Sequence, residues 1–99
     1  MEISVLFKQG RRAFAPSCTA AWQPAETFKY GIFLSRRHGK AHDRHRIKRM
    51  YREALRLTRA QLAGPVRLAI LPRAGETLPT LEEIKADVTR LFEQINRNA

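Results

Sequence analysis

The sequence has little cysteine, few acidic residues and no long apolar run, and each shortage argues against a class of protein. Its single cysteine, Cys18, cannot form a disulfide within the chain, which fits a reducing compartment. We expect this thiol to be a small buried side chain rather than a catalytic nucleophile. No apolar run approaches the roughly 20 residues that span a bilayer, and the start, with an early acidic residue, does not resemble a signal peptide. The sequence therefore predicts a cytoplasmic protein.

Carboxylates are too few and too scattered for a metal-dependent nuclease. Only two aspartates are present, Asp43 and Asp87, and we interpret Asp87, like Glu82 and Glu83, as a charge near a helix start. A metal nuclease needs carboxylates that converge on one site. The sequence suggests no such convergence, and no Ser–His–acid combination either. We expect no catalytic residue within this chain.

Three histidines, His38, His42 and His45, have spacings that bring them close on helical turns, as metal ligands require. Arg and Lys surround all three, so a bound cation would meet strong repulsion. Contact with phosphate groups is the better interpretation of these histidines, and we expect no metal site.

Positive charge is the most prominent feature of the composition. Lys and Arg number 19 against 9 Asp and Glu, giving a formal charge of +10 and a pI near 11.1. Residues 36–59 alone hold ten basic and two acidic side chains. A polyanion is the natural partner of such a segment, because neutralised phosphates release condensed counterions. With 99 residues and 43% hydrophobic composition, we expect one folded domain over residues 1–99.

The basic segment has the periodicity of an amphipathic helix that ends at the Gly-Pro of residues 63–66. At about 100° per residue, one arc collects apolar side chains: Ile47, Met50, Tyr51, Ala54, Leu55, Leu57, Thr58 and Leu62. The opposite arc collects basic ones: Arg46, Lys48, Arg49, Arg52, Arg56 and Arg59, with Arg44 near the boundary. A membrane surface is a weaker alternative partner, because the small residues Ala54 and Thr58 at the centre of the apolar arc favour packing on a sheet.

The flanking segments predict that sheet. Residues 28–35 and 66–72 alternate as strands do, and residues 17–22 form a weaker strand that residues 23–26 would join to 28–35 as a hairpin. One or two helical turns precede Gly10. Thr80 and Glu83 form a capping box before a last helix with regularly spaced apolar residues, namely Leu81, Ile84, Val88, Leu91, Phe92 and Ile95.

One long stretch resembles the signature of a known family. "GIFLSRRHGKAHDRHRIKRMYREALR", residues 31–56, resembles that of the bacterial ribonuclease P protein subunit, in which a strand ending in Ser and two basic residues leads through Gly into an Arg-Asn-Arg-Ile-Lys-Arg helix. "VLFKQG", "VRLAILPRAG" and "LEEIKADVTRLF" resemble the family's first helix, later strand and last helix. The resemblance implies an α/β (α+β) sandwich, like a ribosomal-protein domain, with a short N-terminal helix, a sheet of three strands plus one, a left-handed βαβ crossover around the basic helix, and a C-terminal helix.

The resemblance also implies a function and a set of site residues. Members of the family bind ribonuclease P RNA and precursor tRNA and assist removal of the 5′ leader, while Mg²⁺ is held mainly by the RNA, which does the chemistry. The implied RNA-binding residues are Ser35, Arg36, Arg37, Lys40, Arg44, His45, Arg46, Lys48, Arg49 and Arg52. Phe7 matches an aromatic of the family's leader groove, and the other leader-binding candidates are Phe14, Trp22 and Tyr30.

The sequence departs from the family's pattern at His45, which replaces the motif's Asn and changes the geometry of any hydrogen bond to RNA. Two alternatives to the ribonuclease P function stay open. One is a general RNA-binding or ribosome-associated module without a role in cleavage. The other, DNA binding in a major groove, is weaker, because Arg on every turn with few Asn or Gln suits phosphates better than base edges. We expect neither DNA nor a membrane as partner.

Overall fold

Helices and strands follow one another nearly as the hydrophobic patterns predict. The computed structural model describes residues 3–75 and 77–98, with side chains described from Leu6 onward. The elements are α1 (Ile3–Gln9), β1 (Arg11–Ala15), β2 (Cys18–Pro24), β3 (Lys29–Ile32), a 3-10 turn (Arg36–His38), α2 (Ala41–Thr58), a second 3-10 turn (Arg59–Gln61), β4 (Val66–Pro72) and α3 (Leu81–Arg97). The α+β class, the first helical turns, the basic helix and the last helix are confirmed. Strand β1 is the fourth strand that the family resemblance implied, and the hydrophobic pattern did not locate it.

The four strands form one sheet in the order β1-β2-β4-β3. β1 and β2 are an antiparallel hairpin, β2 and β4 are antiparallel, and β3 and β4 are parallel. The predicted hairpin through residues 23–26 is therefore wrong, because β4 lies between β2 and β3. Most residues of β2 and β4 are buried whichever way their side chains point, so these two strands occupy the centre. The shorter and more exposed β3 takes an edge.

Each face of the sheet is covered differently. Helices α2 and α3 cover one face, where Trp22, Tyr51 and Phe92 are the largest fully buried side chains. On the other face, α1 places Leu6 against Ala21 and Ala69, whose small side chains let the helix approach closely. Strand β3 runs through α2 into β4, so the basic helix is the crossover of a parallel pair.

Helix α2 buries five residues of the predicted apolar arc: Ile47, Tyr51, Ala54, Leu55 and Thr58. The Thr58 hydroxyl donates to the Ala54 carbonyl at 2.7 Å, so this buried polar group is satisfied within the helix. Met50 and Leu62 are partly buried, but Leu57 is 47% exposed, so its assignment to the core was wrong. Leu57 lies about 100° around the helix from the centre of the buried face, beyond the reach of the sheet.

Helix α3 begins at Thr80, whose hydroxyl accepts a hydrogen bond from the Glu83 backbone N–H at 3.2 Å. The predicted apolar positions from Ile84 to Ile95 are buried. Asp87 is also buried, and its carboxylate accepts from the Ser17 N–H, the Ser17 hydroxyl and the Arg90 guanidinium. Asp87 is thus not a helix-start charge, as the sequence suggested, but a tie between α3 and the β1–β2 turn.

The edges of the sheet differ in their hydrogen bonding. On β1, the Gln94 side chain accepts from the Phe14 N–H at 2.8 Å and donates to the Phe14 carbonyl at 2.5 Å. Helix α3 therefore satisfies part of the β1 edge. Among the hydrogen bonds of the described residues, no side chain does the same for β3, whose outer edge stays open beside α2.

Cys18 lies in the core and is 0% exposed, and burial raises the pKa of its thiol to about 11. We expect it to resist thiol reagents at pH 8 in the folded protein and to react promptly in denaturant, because only the exposed thiolate is reactive. Titration with a chromogenic disulfide reagent measures both rates. A fast reaction without denaturant would contradict the burial.

Candidate nucleic-acid interface

The basic face of α2 points away from the core. Its apolar side docks on the sheet and against α3, which fixes the direction of the other side. Eight of the ten predicted RNA-binding residues are exposed: Ser35, Arg36, Arg37, Lys40, His45, Arg46, Arg49 and Arg52. Arg44 and Lys48 are half-buried on the flank of the helix. The structure therefore brings all ten together along α2 and the turn before it, and buries none.

Apart from Arg56, the cations on this face are free of carboxylate partners in the described part of the chain. The ion pairs found there are Arg56–Glu53, Arg90–Asp87, Lys85–Glu82 and His42–Asp43. Hydrogen bonds from Arg56 engage both carboxylate oxygens of Glu53 and lower the pKa of that carboxyl. None of the predicted RNA-binding Arg and Lys residues takes part in these pairs, so their charge is available to a polyanion.

The turn that carries Arg36 and Arg37 is held by a hydrogen-bonded box. The Ser35 hydroxyl accepts from the Arg37 N–H at 3.3 Å, and His38 Nδ1 accepts from the Ser35 N–H at 3.0 Å. His38 Nε2 lies 2.7 Å from the Pro72 carbonyl oxygen, which only accepts, so Nε2 carries the proton. Both ring nitrogens are thus occupied within the protein. His38 positions the turn, and its interpretation as a phosphate contact was wrong.

Gly39 joins this turn to α2 with φ at 102°, the positive value that glycine tolerates best. A Cβ at this position would lie 2.8 Å from Asp43 Oδ2. We expect Gly39→Ala to lower the free energy of unfolding by about 1 to 2 kcal/mol. Gly64→Ala is the matched control, since its Cβ would meet no atom within 4 Å. Urea titration of both variants measures the difference, and equal stabilities would contradict the strain.

The four leader-binding candidates do not lie together. Phe14 is 58% exposed, and Phe7 is half-buried with the Arg12 guanidinium 4.6 Å from its ring centroid, on the sheet face that α1 covers. Trp22 is 1% exposed and packs in the core under α2 and α3, so it cannot offer its ring to a leader, which corrects its assignment. Tyr30 is partly buried against that same core, away from Phe7. Phe7 and Phe14 therefore share the face that α1 covers, whereas Trp22 and Tyr30 lie on the opposite face.

The side chains of the described residues do not form a metal site. Over 3–75 and 77–98, the His, Cys, Asp and Glu side chains nowhere gather in a group of three or more that could hold an ion. Within the same ranges, no helix combines the length and apolar composition needed to cross a membrane.

A groove beside the second half of α2 was not predicted. It is lined by Phe28 and Tyr30 from the β3 segment, by Arg49, Arg52 and Arg56 of α2, and by Arg59 of the following 3-10 turn. The alternating pattern of residues 28–35 predicted a strand that carries the two aromatic residues, and the helical periodicity of the basic segment placed the arginines on one side of a helix. Their meeting depends on the position of β3 at the sheet edge, which the sequence did not reveal.

Comparison with known proteins agrees with the fold and with this basic helix. The sequence model of the family described as Ribonuclease P matches residues 1–96. The chain belongs to the ribonuclease P protein family. The match covers α1, the whole sheet, the basic helix and nearly all of α3.

Relatives named ribonuclease P protein component cover much of the chain. The one from Chlamydia muridarum is 39% identical over 62 residues, covering 63% of this chain and 50% of the relative. Its counterpart from a Chlamydia trachomatis strain of serovar L2 is 36% identical over 84 residues, with 82% and 68% coverage. The Thermus oshimai protein is 36% identical over 90 residues, with 88% and 56% coverage. The alignments thus span between half and about two thirds of these relatives' length.

Solved structures of the family share the fold. The RNase P protein from Thermotoga maritima superimposes with a TM-score of 0.82 at 19% identity, covering 94% of this chain and 90% of that one. The RNase P protein from Staphylococcus aureus gives 0.81 at 18% identity, with 95% and 88% coverage. The ribonuclease P fold is therefore kept at low sequence identity.

Proposed function

We propose that this chain is the protein subunit of a bacterial ribonuclease P, which binds the catalytic RNA in the cytoplasm and assists removal of the 5′ leader from precursor tRNA. The observation that carries the proposal is the outward basic face of α2, which lies in the segment that resembles the family signature. Its Arg and Lys side chains point away from the core and, apart from Arg56, which pairs with Glu53, make no ion pair with the described carboxylates. A folded RNA supplies the phosphates that such a face attracts.

The rigidity of α2 is what makes this charge useful. The helix is held on the sheet by the buried side chains of Ile47, Tyr51 and Leu55. The backbone that carries the arginines is therefore ordered before RNA binds. Binding then costs only the ordering of side chains, and not the folding of a basic tail. The Ser35–His38 box extends the same fixed surface to Arg36 and Arg37.

Catalysis is assigned to the RNA, together with the Mg²⁺ that phosphodiester hydrolysis requires. Two of the carboxylates that the structure describes are already engaged within the protein: Asp87 accepts from Ser17 and Arg90, and Glu53 is engaged by Arg56. The chain's own role is to hold RNA in place and to neutralise its charge.

We assign leader contact to the sheet face beside α1. Phe7 and Phe14 lie on that face, and the Arg12 guanidinium stacks over the Phe7 ring at 4.6 Å. Aromatic rings stack on unpaired bases of any sequence, and a nearby guanidinium neutralises the phosphates between them. This combination suits a leader whose sequence varies among tRNAs.

Reconstitution tests the proposed function. The full chain, combined with a bacterial ribonuclease P RNA, is expected to stimulate cleavage of a precursor tRNA at low Mg²⁺, where the RNA alone is slow. An unrelated basic protein of equal net charge serves as the control for simple charge neutralisation. RNA binding without stimulation would instead support a general RNA-binding or ribosome-associated module.

A further inference from the structure

The groove between the β3 segment and the outer side of α2 has the composition of a nucleotide-binding site. It encloses about 660 Å³, in the size range of small-molecule sites, and its base includes the buried Leu55. The Phe28 and Tyr30 rings form one wall, with centroids 5.7 Å apart and planes tilted by 36°. Three arginines of α2 and Arg59 of the following 3-10 turn also line the groove. The ten residues implied by the family signature include neither Phe28 nor Arg59.

The aromatic wall is accessible and already holds a planar cation. The Arg59 guanidinium lies 4.8 Å from the Phe28 ring centroid. Both aromatic rings are half-buried, so each packs on the core with part of its surface and leaves the rest to the groove. A ring that stacks on a guanidinium also stacks on a nucleobase, since both partners are flat and polarisable.

The charge of the groove selects an anion. Four arginines line it, and Glu53, the acid among them, is held by Arg56 through both of its oxygens. Arg49, Arg52 and Arg59 form no ion pair with any carboxylate of the described ranges. One guanidinium group can donate two parallel hydrogen bonds to two oxygens of a phosphate. Aromatic rings and unpaired arginines together therefore fit one nucleotide, its base on the rings and its phosphates on the helix.

We propose that this groove binds an unpaired nucleotide of RNA, with the base stacked on Phe28 and Tyr30 and the adjacent phosphates held by Arg52 and Arg59. The inference rests on the proposed function, which places α2 against the phosphates of RNA. An unpaired nucleotide of the same RNA would then lie next to the groove. The open edge of β3 leaves room for a bulged or single-stranded residue where a double helix would not fit. The nucleotide comes from the RNA subunit or from the leader of the substrate.

Variants at Phe28 separate stacking from packing. Phe28→Leu keeps an apolar side chain on the core but removes the ring, and we expect it to weaken RNA binding about tenfold. Phe28→Tyr keeps the ring and is expected to bind as the natural chain does. For the charge, Arg59→Gln is compared with Arg97→Gln, which makes the same change of net charge at a residue of α3 that does not line the groove. Only Arg59→Gln is expected to weaken binding.

The measurement is fluorescence anisotropy of the full chain with labelled ribonuclease P RNA, followed by binding of precursor and mature tRNA to the assembled enzyme. A loss with the RNA subunit places the nucleotide there, whereas a loss confined to precursor tRNA places it in the leader. Circular dichroism melting shows that each variant is folded.

If folded Phe28→Leu bound both RNAs as tightly as the natural chain does, the proposed nucleotide site would be wrong and the proposed function would stand. Failure of the natural chain to bind either RNA would overturn the groove and the proposed function together. An acidic peptide that competes with RNA only in the chain carrying Phe28 would assign the groove to protein and overturn the proposal.

Discussion

Reversal of Arg46 and Arg49 to glutamate is expected to weaken binding of ribonuclease P RNA about 100-fold at moderate salt, because two phosphate contacts are lost and two repulsive charges appear. Both side chains are exposed on α2, so the fold should tolerate the change. Each lost phosphate contact also lowers the dependence of log affinity on log salt by about 1, so the slope should fall by about 2. Filter binding across a range of KCl concentrations measures both quantities.

The control for this double reversal changes the same net charge elsewhere. Lys85→Glu together with Arg97→Glu does so on α3, outside the ten predicted RNA-binding residues. If the two double variants lost affinity and slope equally, the effect would come from net charge, and α2 would not be the contact surface. An unchanged slope in the α2 variant would lead to the same conclusion.

Replacement of Trp22 by alanine is expected to lower the free energy of unfolding by about 3 to 5 kcal/mol, the cost of removing a large side chain from a close-packed core. Trp22 pairs with Leu68 across the sheet and is among the largest fully buried residues. Such a loss is a large share of the stability of a chain of this size. Denaturant titration followed by circular dichroism measures it directly.

Phe14→Ala is the counterpart, because Phe14 is more than half exposed on the other face of the sheet. We expect it to change stability by less than about 1 kcal/mol, and to reduce the preference of the assembled enzyme for precursor over mature tRNA. If Phe14→Ala were as destabilising as Trp22→Ala, or if folded Trp22→Phe lost leader preference, the assignment of the two faces would be wrong.

The helices were predictable from the sequence because their signals are local. Apolar residues of α3 recur every three or four positions, and the same period separates the core face of α2 from its arginines. Strand order was not predictable, since the partner of β2 is β4, more than forty residues further along the chain. Nothing within residues 17–35 shows that another strand lies between the two that look like a hairpin.

The candidate site, too, could be predicted from the sequence only in part. The ten predicted RNA-binding residues could be placed on one surface because a helix and a fixed signature order them. The aromatic candidates could not be sorted, because β2 carries small residues on both faces and its alternation does not reveal which face the helices cover. The role of His38 was hidden for another reason, since its partner carbonyl belongs to Pro72.

The tie between Ser17 and Asp87 has a consequence for biosynthesis. The two residues are 70 positions apart, and Gln94 meets the β1 backbone at a separation of 80. Chains emerge from the ribosome from the N-terminus onward, so the first hairpin appears long before the helix that secures it. We therefore expect the nascent chain to complete its fold only after α3 has emerged, with the arginine-rich middle exposed to the surrounding nucleic acid until then.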